Sequence, residues 1–463
     1  MAKPNSTLPF LIFTAAPVAG HVNPLLRTAS YLVKKGYEVL FLSTPEFKDQ
    51  ITRAGAEWSD HEPLDLSKYT PEHFAALDAK MPVQIFAFSF ESIFLPGLPK
   101  RAQQLREALE MVHRRDSSRE VVIFHEVGSL AVHPFTFVAL PDCFCQYFGA
   151  PLPNGYDFVP KTICLGINPI MVDSVVTGFV GPGLPFEDTP AVRARNQYIL
   201  DLVHTFAYKQ LADTHVNLLR EAGCTSWPEH FSVDDICLTS DVFLQLCGPS
   251  FDYPDPTRSP KIKFVGTLPS TPPSPNLEYP PWWSEVENAA AAGKKVVFLA
   301  QGSIEYSPEA LLLPVIRALE NESDILLVAT IGTRGGSLPA DFQIPKHTRI
   351  LDYFPYDVVL QYADVLIFNA GYGGAGHAIG SGVPIVVLGE LGQEKPEVAA
   401  RIEYSGLGLA SKSPKPEVGE IRTTVRRVLD NSRFKERALA LQQESKDLDP
   451  FAAIEKQVRE LIA

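Results

Sequence analysis

Two stretches of this chain carry residue types spaced for chemistry. The first runs from Asn369 to Pro384 and reads Asn-Ala-Gly-Tyr-Gly-Gly-Ala-Gly-His-Ala-Ile-Gly-Ser-Gly-Val-Pro. It follows the apolar run Ala363 to Phe368, which reads as a buried strand, and leads through a helix-like segment to a second strand, Pro384 to Leu388. A glycine-rich turn between strand and helix offers bare backbone N–H groups and a helix N-terminus, a natural seat for a phosphate. Gly371, Gly373 and Gly376 satisfy a Gly-x-Gly-x-x-Gly dinucleotide pattern, but no acidic residue follows about twenty positions on at a strand end, so the dinucleotide reading is the weaker one. The second stretch, Pro17 to Pro24, places His21 between an apolar strand, Leu8 to Ala16, and an amphipathic segment, Leu25 to Gly36, with proline near its first turn and glycine after a Lys-Lys end. With the strand Tyr37 to Ser43 this forms a strand-helix-strand unit, and open parallel sheets bind ligands at such turns. Position alone leaves His21 as either a surface or capping residue or a working one.

Asn369 to Pro384 resembles the donor-site signature of the GT-B glycosyltransferases that use UDP-sugars on small molecules, the fungal-type UDP-glycosyltransferases among them. In that signature a His-Gly-Gly-x-Gly turn is followed by Glu-Ala and Gly-Val-Pro; here Asn369 stands at the His position and His377 at the Glu position. Gly20-His21-Val22-Asn23-Pro24 is similar to the family's Gly-His-x-x-Pro turn, whose histidine is the general base on the acceptor hydroxyl. A neutral imidazole near pH 7 suits that task. Relatives commonly carry an Asp that supports this histidine at the end of the strand matching Glu120 to Gly128. The candidates here are His125 and Glu126; adjacent strand residues face opposite ways, and the charge of Glu126 favours it.

The resemblance assigns further residues to the donor. Gly302 and Ser303, after the strand Lys294 to Ala300, contact the diphosphate, as do Gly371, Gly373 and Gly374. Tyr353, with Phe354 beside it, takes the place of the aromatic ring that stacks on uracil, and Tyr356 replaces a glutamine. Glu394 and Lys395 fall where relatives contact the sugar hydroxyls, although the pair also suits the start of a helix. Alternating aromatics Phe86, Phe88 and Phe90 read either as core packing or as the wall of an apolar acceptor pocket.

The implied fold class is α/β of GT-B type: two Rossmann-like domains with parallel sheets facing a central cleft, and a C-terminal helix crossing back. The expected boundaries are 1–250 for the acceptor domain, 251–285 for a Pro-rich linker, 286–445 for the UDP-sugar domain and 446–463 for the returning helix. The implied reaction is inverting hexosyl transfer, glucose being the family's commonest cargo, to a hydroxyl or ring carbon of an apolar phenolic metabolite. No cofactor is expected beyond the UDP-sugar co-substrate, and no metal; the Asp447-Leu448-Asp449 triplet lies in a helical tail with no strand before it. The alternative is a sugar-nucleotide-binding protein without turnover.

Composition agrees with this reading. At 463 residues the chain has room for two domains. Its 45% apolar and 21% charged content is that of a globular protein, and a formal charge of −13 without a basic stripe argues against nucleic acid or a membrane surface as partner. No uninterrupted apolar run is long enough for a membrane span. Leu8 to Val18 contains Pro9 and Pro17 and reads as a strand rather than a signal peptide. Six cysteines without Cys-x-x-Cys spacing suggest neither a zinc site nor a disulfide framework, so a reducing cytosol is expected.

Overall fold

The apolar runs become short strands because their β-branched and aromatic residues are buried on both faces of sheets lined by helices. A computed structural model of the protein describes residues 8–65, 82–135, 160–179, 181–224, 237–302, 308–389 and 394–463. Among these, thirteen strands form two sheets, of seven and six strands. Every ladder between them is parallel.

The first sheet has the order β3-β2-β1-β4-β5-β6-β7. Its strands are β1 (Phe10–Thr14), β2 (Val39–Leu42), β3 (Glu57–Ser59), β4 (Val121–Glu126), β5 (Lys161–Gly166), β6 (Val242–Gln245) and β7 (Ile262–Phe264). Alternation divides each strand between two cores: Leu11, Phe13, Val122 and Phe124 face one side, and Phe10, Ile12, Val121 and Ile123 the other. Phe13 and Phe124 stack at 4.5 Å across the β1–β4 pair. The second sheet has the order β10-β9-β8-β11-β12-β13. It comprises β8 (Lys295–Ala300), β9 (Ile325–Thr330), β10 (Thr348–Leu351), β11 (Val365–Phe368), β12 (Ile385–Val387) and β13 (Gly408–Ala410).

In both sheets the strand order reverses once, between β1 and β4 and between β8 and β11, and such switch points open a crevice at the carboxyl ends of the strands. Both chemically marked stretches sit there. The register Phe368↔Ala300 brings Asn369 beside Gln301 and Gly302, and Phe13↔Phe124 brings the turn after β1 beside Glu126.

Two sequence expectations shift. β7 lies inside the stretch read as linker yet extends the first sheet, so that sheet runs past residue 250. The first helix spans Ala19–Lys34 with Pro24 inside it, so His21 belongs to its first turn rather than to a preceding loop. At the other end, the helix Ser432–Leu448 packs on the second domain through Ala438 and Leu441, while Pro450–Leu461 packs on the first through Ile454 and Val458.

Candidate active site

Helical structure from Ala19 holds His21 rigidly, with its backbone N–H on the Val18 carbonyl at 2.9 Å. Its Nδ1 lies 2.7 Å from Glu126 Oε2. The same carboxylate accepts the Gly128 N–H on Oε2 at 2.6 Å and the Ala16 N–H on Oε1 at 2.8 Å, so a wholly buried charge meets three donors. Burial pushes the Glu126 carboxyl up, but the charge and hydrogen bond of His21 and the two backbone N–H groups outweigh it, leaving the group below its ordinary 4.5. Burial pushes the His21 imidazole down; the charge and hydrogen bond of Glu126, joined by the charge of Glu394, overcome this and hold it above 6.5.

Strand alternation decides between the two candidates at the end of β4. Glu126 shares the face of Val122 and Phe124, on which the first helix packs, whereas His125 turns to the opposite side. There its Nε2 lies 2.6 Å from Ser240 Oγ, and burial pushes its pKa down to about 4. The partner of His21 is therefore Glu126.

Of the two readings of the aromatic row, Phe86 and Phe90 take the core-packing one. Phe86 lies on the helix Pro82–Ser89, which continues as a π-turn, Phe90–Phe94, so residues four apart share a face. Phe86 and Phe90 pack into the first-domain core, 4.7 Å apart, and Phe88 is half-buried. Phe94 reaches the site, 5.7 Å from the His21 imidazole. A Cβ on Gly128 would lie 2.9 Å from Phe94 and 3.0 Å from His21, so only glycine lets both rings approach that turn. Phe94 closes the same aromatic-rich stretch of the sequence, whereas Gly128 and the Ala16 N–H carry no assignment from the sequence. Glycine two positions after the strand-end acid was the available signal.

In the second domain, β11 ends at Phe368, Asn369 and Ala370 follow, the latter with φ +61°, and the helix Tyr372–Ser381 begins after Gly371. Ala370 stands at a glycine of the family pattern and keeps its left-handed backbone at a cost in strain, which non-glycine residues accept chiefly at functional turns. Cβ atoms on Gly371 or Gly373 would meet nothing within 4 Å, so these two present open backbone. Gly374 differs: a Cβ there would strike Phe368 at 2.7 Å, so its side of the helix is packed against the sheet. The first-turn N–H groups of this helix have no acceptor within it, as an anion site requires. Asn369 is buried, with its side-chain oxygen 3.6 Å from the Cβ position of Gly302. Ser303 lies outside the described residues.

Tyr353 is 43% exposed, with the Arg334 guanidinium over one face of its ring at 4.3 Å. Phe354 is 5% exposed and packs on Trp283 at 5.2 Å, so the chain's alternation removes it from the cleft and corrects its assignment to the donor. Between the domains lies a cavity of about 350 Å³ lined by Ala19, Asn23, Phe47 and Gln50 from one side and Gly332, Thr333, Arg334 and Tyr353 from the other. A larger hollow of about 530 Å³, between Arg317, Glu320 and Asp341, contains none of the site residues.

His377 is not a bare replacement for the family's acid. Its Nδ1 lies 2.6 Å from Asp357 Oδ1, and Asp357 Oδ2 accepts the Thr271 N–H at 2.6 Å. Burial pushes Asp357 up, but His377, Thr271 and Arg27 outweigh it and keep the group below its ordinary range. A histidine–carboxylate pair thus fills the Glu position. Glu394 is the N-cap of the helix Lys395–Tyr404, beginning directly with Lys395, and its side chain makes no capping hydrogen bond; its charge acts on His21 across the cleft. The Asp447 and Asp449 carboxylates are engaged locally, by Gln443 and by the Ala452 N–H.

Two parallel-sheet α/β domains with their switch points marked by these residues define the GT-B architecture. The whole chain superposes on the glycotransferase of kitacinnamycin with a TM-score of 0.67 and 17% identity, covering 98% of each chain. Residues 318–460 match the erythromycin biosynthesis protein CIII-like C-terminal domain. UDP-glucosyltransferase 1 of Beauveria bassiana is 31% identical over 97% of this chain and 94% of its own length. UDP-glucosyltransferase B1 of Starmerella bombicola is 30% identical over 98% of each. The chain belongs to the UDP-glycosyltransferases, enzymes that transfer sugar from a UDP-sugar donor.

Proposed function

We propose that the protein moves glucose from UDP-glucose to a hydroxyl of an apolar, phenolic small molecule, with inversion and without a divalent metal. The observation that carries this reading is the His21–Glu126 pair at 2.7 Å on the ligand edge of the first sheet, opposite Glu394. Glu126 holds the Nδ1 proton, which leaves Nε2 free to take the acceptor proton as the acceptor oxygen attacks the anomeric carbon. The bond from that carbon to the diphosphate breaks on the opposite face, and UDP departs. Its charge is met by the N–H groups from Gly371 to Gly374 and by Ser303, with Asn369 as a neutral donor. Tyr353 stacks on the base, the His377–Asp357 pair lies along the nucleotide, and Glu394 and Lys395 hold the sugar.

Glucose is supported by the relatives named as glucosyltransferases. The phenolic acceptor is supported by Phe94 beside His21 and by the absence of a basic stripe in an acidic chain. Transfer to a ring carbon of an activated phenol would use the same base, with the proton leaving carbon instead. The setting proposed is the cytosol; among the described residues no helix is long and apolar enough to cross a membrane.

Calorimetric titration with UDP and with UDP-glucose in chelator tests the donor half. Binding of both is expected, and binding of neither removes the main support for the reading. His21→Ala should then lower turnover by roughly 10²–10⁴ in an acceptor screen. Unchanged turnover would take His21 out of the mechanism, whereas donor binding with no turnover by the wild-type protein would leave a sugar-nucleotide-binding protein without catalysis.

A further inference from the structure

The run Gly181-Pro182-Gly183-Leu184-Pro185-Phe186 of the first domain lies directly on the second, away from the places where the chain passes between them. Glu397, one turn into the helix Lys395–Tyr404, is 7% exposed. Its Oε1 accepts the N–H groups of Gly181 and Gly183 at 3.0 and 2.9 Å, and its Oε2 accepts Arg401 Nη1 at 2.9 Å. Arg401 Nε donates to Asp252 Oδ1 at 2.7 Å, and its guanidinium covers the Tyr253 ring at 4.5 Å. Phe186 stacks on Tyr253 at 5.1 Å and meets the edge of Tyr404 at 5.4 Å. Gly183 has φ +58°, and a Cβ there would stand 2.2 Å from the Pro396 carbonyl oxygen, closer than any side chain allows.

A contact built only for adhesion would need no buried charges, which are costly to desolvate and repay that cost chiefly by demanding one geometry. The geometry fixed here belongs to the turn that carries Glu394. The N–H groups of Glu397 and Val398 donate to the Glu394 carbonyl at 3.0 and 3.2 Å, so Glu394 and Glu397 move together. We propose that the Gly181–Phe186 loop is a clasp through which the acceptor domain positions Glu394 against the donor sugar, with Glu397 as the positioning residue and Gly183 as the residue that permits the contact. This rests on reading Glu394 as a sugar contact. The clasp makes the grip on the sugar, unlike the grip on UDP, a property of both domains.

The test is calorimetric binding of UDP and of UDP-glucose to the full chain. Gly183→Ala forces the loop off Pro396 and is expected to weaken UDP-glucose by on the order of tenfold, the loss that accompanies one misaligned hydrogen bond to a carboxylate. UDP, which does not reach Glu394, should keep its affinity. Gly178→Ala is the control: Gly178 also has positive φ, at +86°, but its Cβ would meet Asn196 at an ordinary 3.6 Å, so it shares the backbone strain without touching the second domain. Its ratio of UDP-glucose to UDP affinity should match the wild type. Glu397→Gln keeps an acceptor for the glycine N–H groups but loses the charge opposite Arg401, shifts the ratio in the same direction, and carries the test if Gly183→Ala does not fold. Equal losses for both ligands, or an unchanged ratio in the folded variant, overturn the clasp alone. Wild-type protein that binds neither ligand overturns the donor reading and the clasp with it.

Discussion

Replacing Glu126 by Gln removes one charge while keeping the side-chain shape, and its consequence can be worked from three hydrogen bonds. The carboxylate accepts from Ala16, Gly128 and His21. An amide offers one accepting oxygen, so one backbone N–H must face an NH₂ group whichever way the amide turns. With the oxygen toward His21 the clash falls on Ala16. With it reversed the clash falls on Gly128 and the NH₂ donates to His21 Nδ1, which moves the ring proton to Nε2 and disables the base. Each orientation leaves a buried donor unsatisfied at about 1–3 kcal/mol, so neither is strongly preferred and part of the population holds the wrong tautomer. The imidazolium that forms during transfer also loses its counter-charge, worth about 4 kcal/mol for charges ~4 Å apart at an effective dielectric of ~20, or roughly three decades in rate. With the raising influence of Glu126 gone, burial dominates and the His21 pKa falls. The acid limb of kcat/KM against pH should therefore move to lower pH while its plateau drops by on the order of 10³. Steady-state rates across that pH range read both quantities. A plateau within about tenfold of wild type, or a limb displaced upward, would refute the reasoning.

The two glycine roles in the donor turn should separate on substitution. Gly373→Ala, whose methyl meets nothing in the protein, is expected to fold normally and weaken UDP in calorimetry, whereas Gly374→Ala, which strikes Phe368, should lower Tm first. Equal Tm for the two would mean that Gly374 is not needed for packing. Arg401→Leu removes the cation shared by Asp252 and Glu397, leaving Glu397 with only the Gly181 and Gly183 N–H groups and Asp252 with Arg258 at 3.9 Å, so a loss of up to about 3–5 kcal/mol, or a fall in Tm on the order of 10 °C, is expected in a thermal melt. A melt that matches wild type would show that the two acids find other partners. The His21–Glu126 pair also leaves a mark on stability. The share due to Glu126, held below 4.5, is present above that value and lost as pH falls through its folded pKa; the share due to His21, raised above 6.5, is complete below 6.5 and lost as pH rises through its folded pKa. Double-mutant coupling between His21→Ala and Glu126→Ala should thus be greatest between pH 4.5 and 6.5, and coupling that grows toward alkaline pH contradicts the assignment.

Much of the site could be read from local signals. His21 and Asn369 follow apolar runs whose ends mark the ligand edge of parallel sheets, and Glu126 could be favoured over His125 on charge, with only the face left open. Strand alternation settled that face through the packing of the first helix. The pattern failed where a side chain's direction depends on tertiary neighbours. Tyr353 and Phe354 are adjacent aromatics, and nothing local says that Trp283 claims the second. Phe86 and Phe90 lie on a helix that runs into a π-turn, so the apparent alternation of rings in the sequence is not an alternation in space. The pairing of His377 with Asp357, twenty positions apart on two helices, has no spacing signal. Neither does Glu397 with Gly181 and Gly183, more than two hundred positions away, although the glycines themselves were visible. β7 was hidden by the prolines around it.

The chain passes between its domains twice, once after β7 and once at Asp449, and the two passages touch. The Thr267 N–H donates to Ser445 Oγ at 3.2 Å, and a Cβ on Gly266 would stand 2.9 Å from the Ser445 carbonyl and 3.2 Å from Pro450. Mechanically they are one pivot instead of two. A body on a single pivot can swing, tilt and spin; adding the Glu397 contact as a second support leaves rotation about the line through both. A swing about that line would carry the cleft residues His21 and Glu394 on opposite arms, and would be measurable as a change in one distance between labels rather than in three.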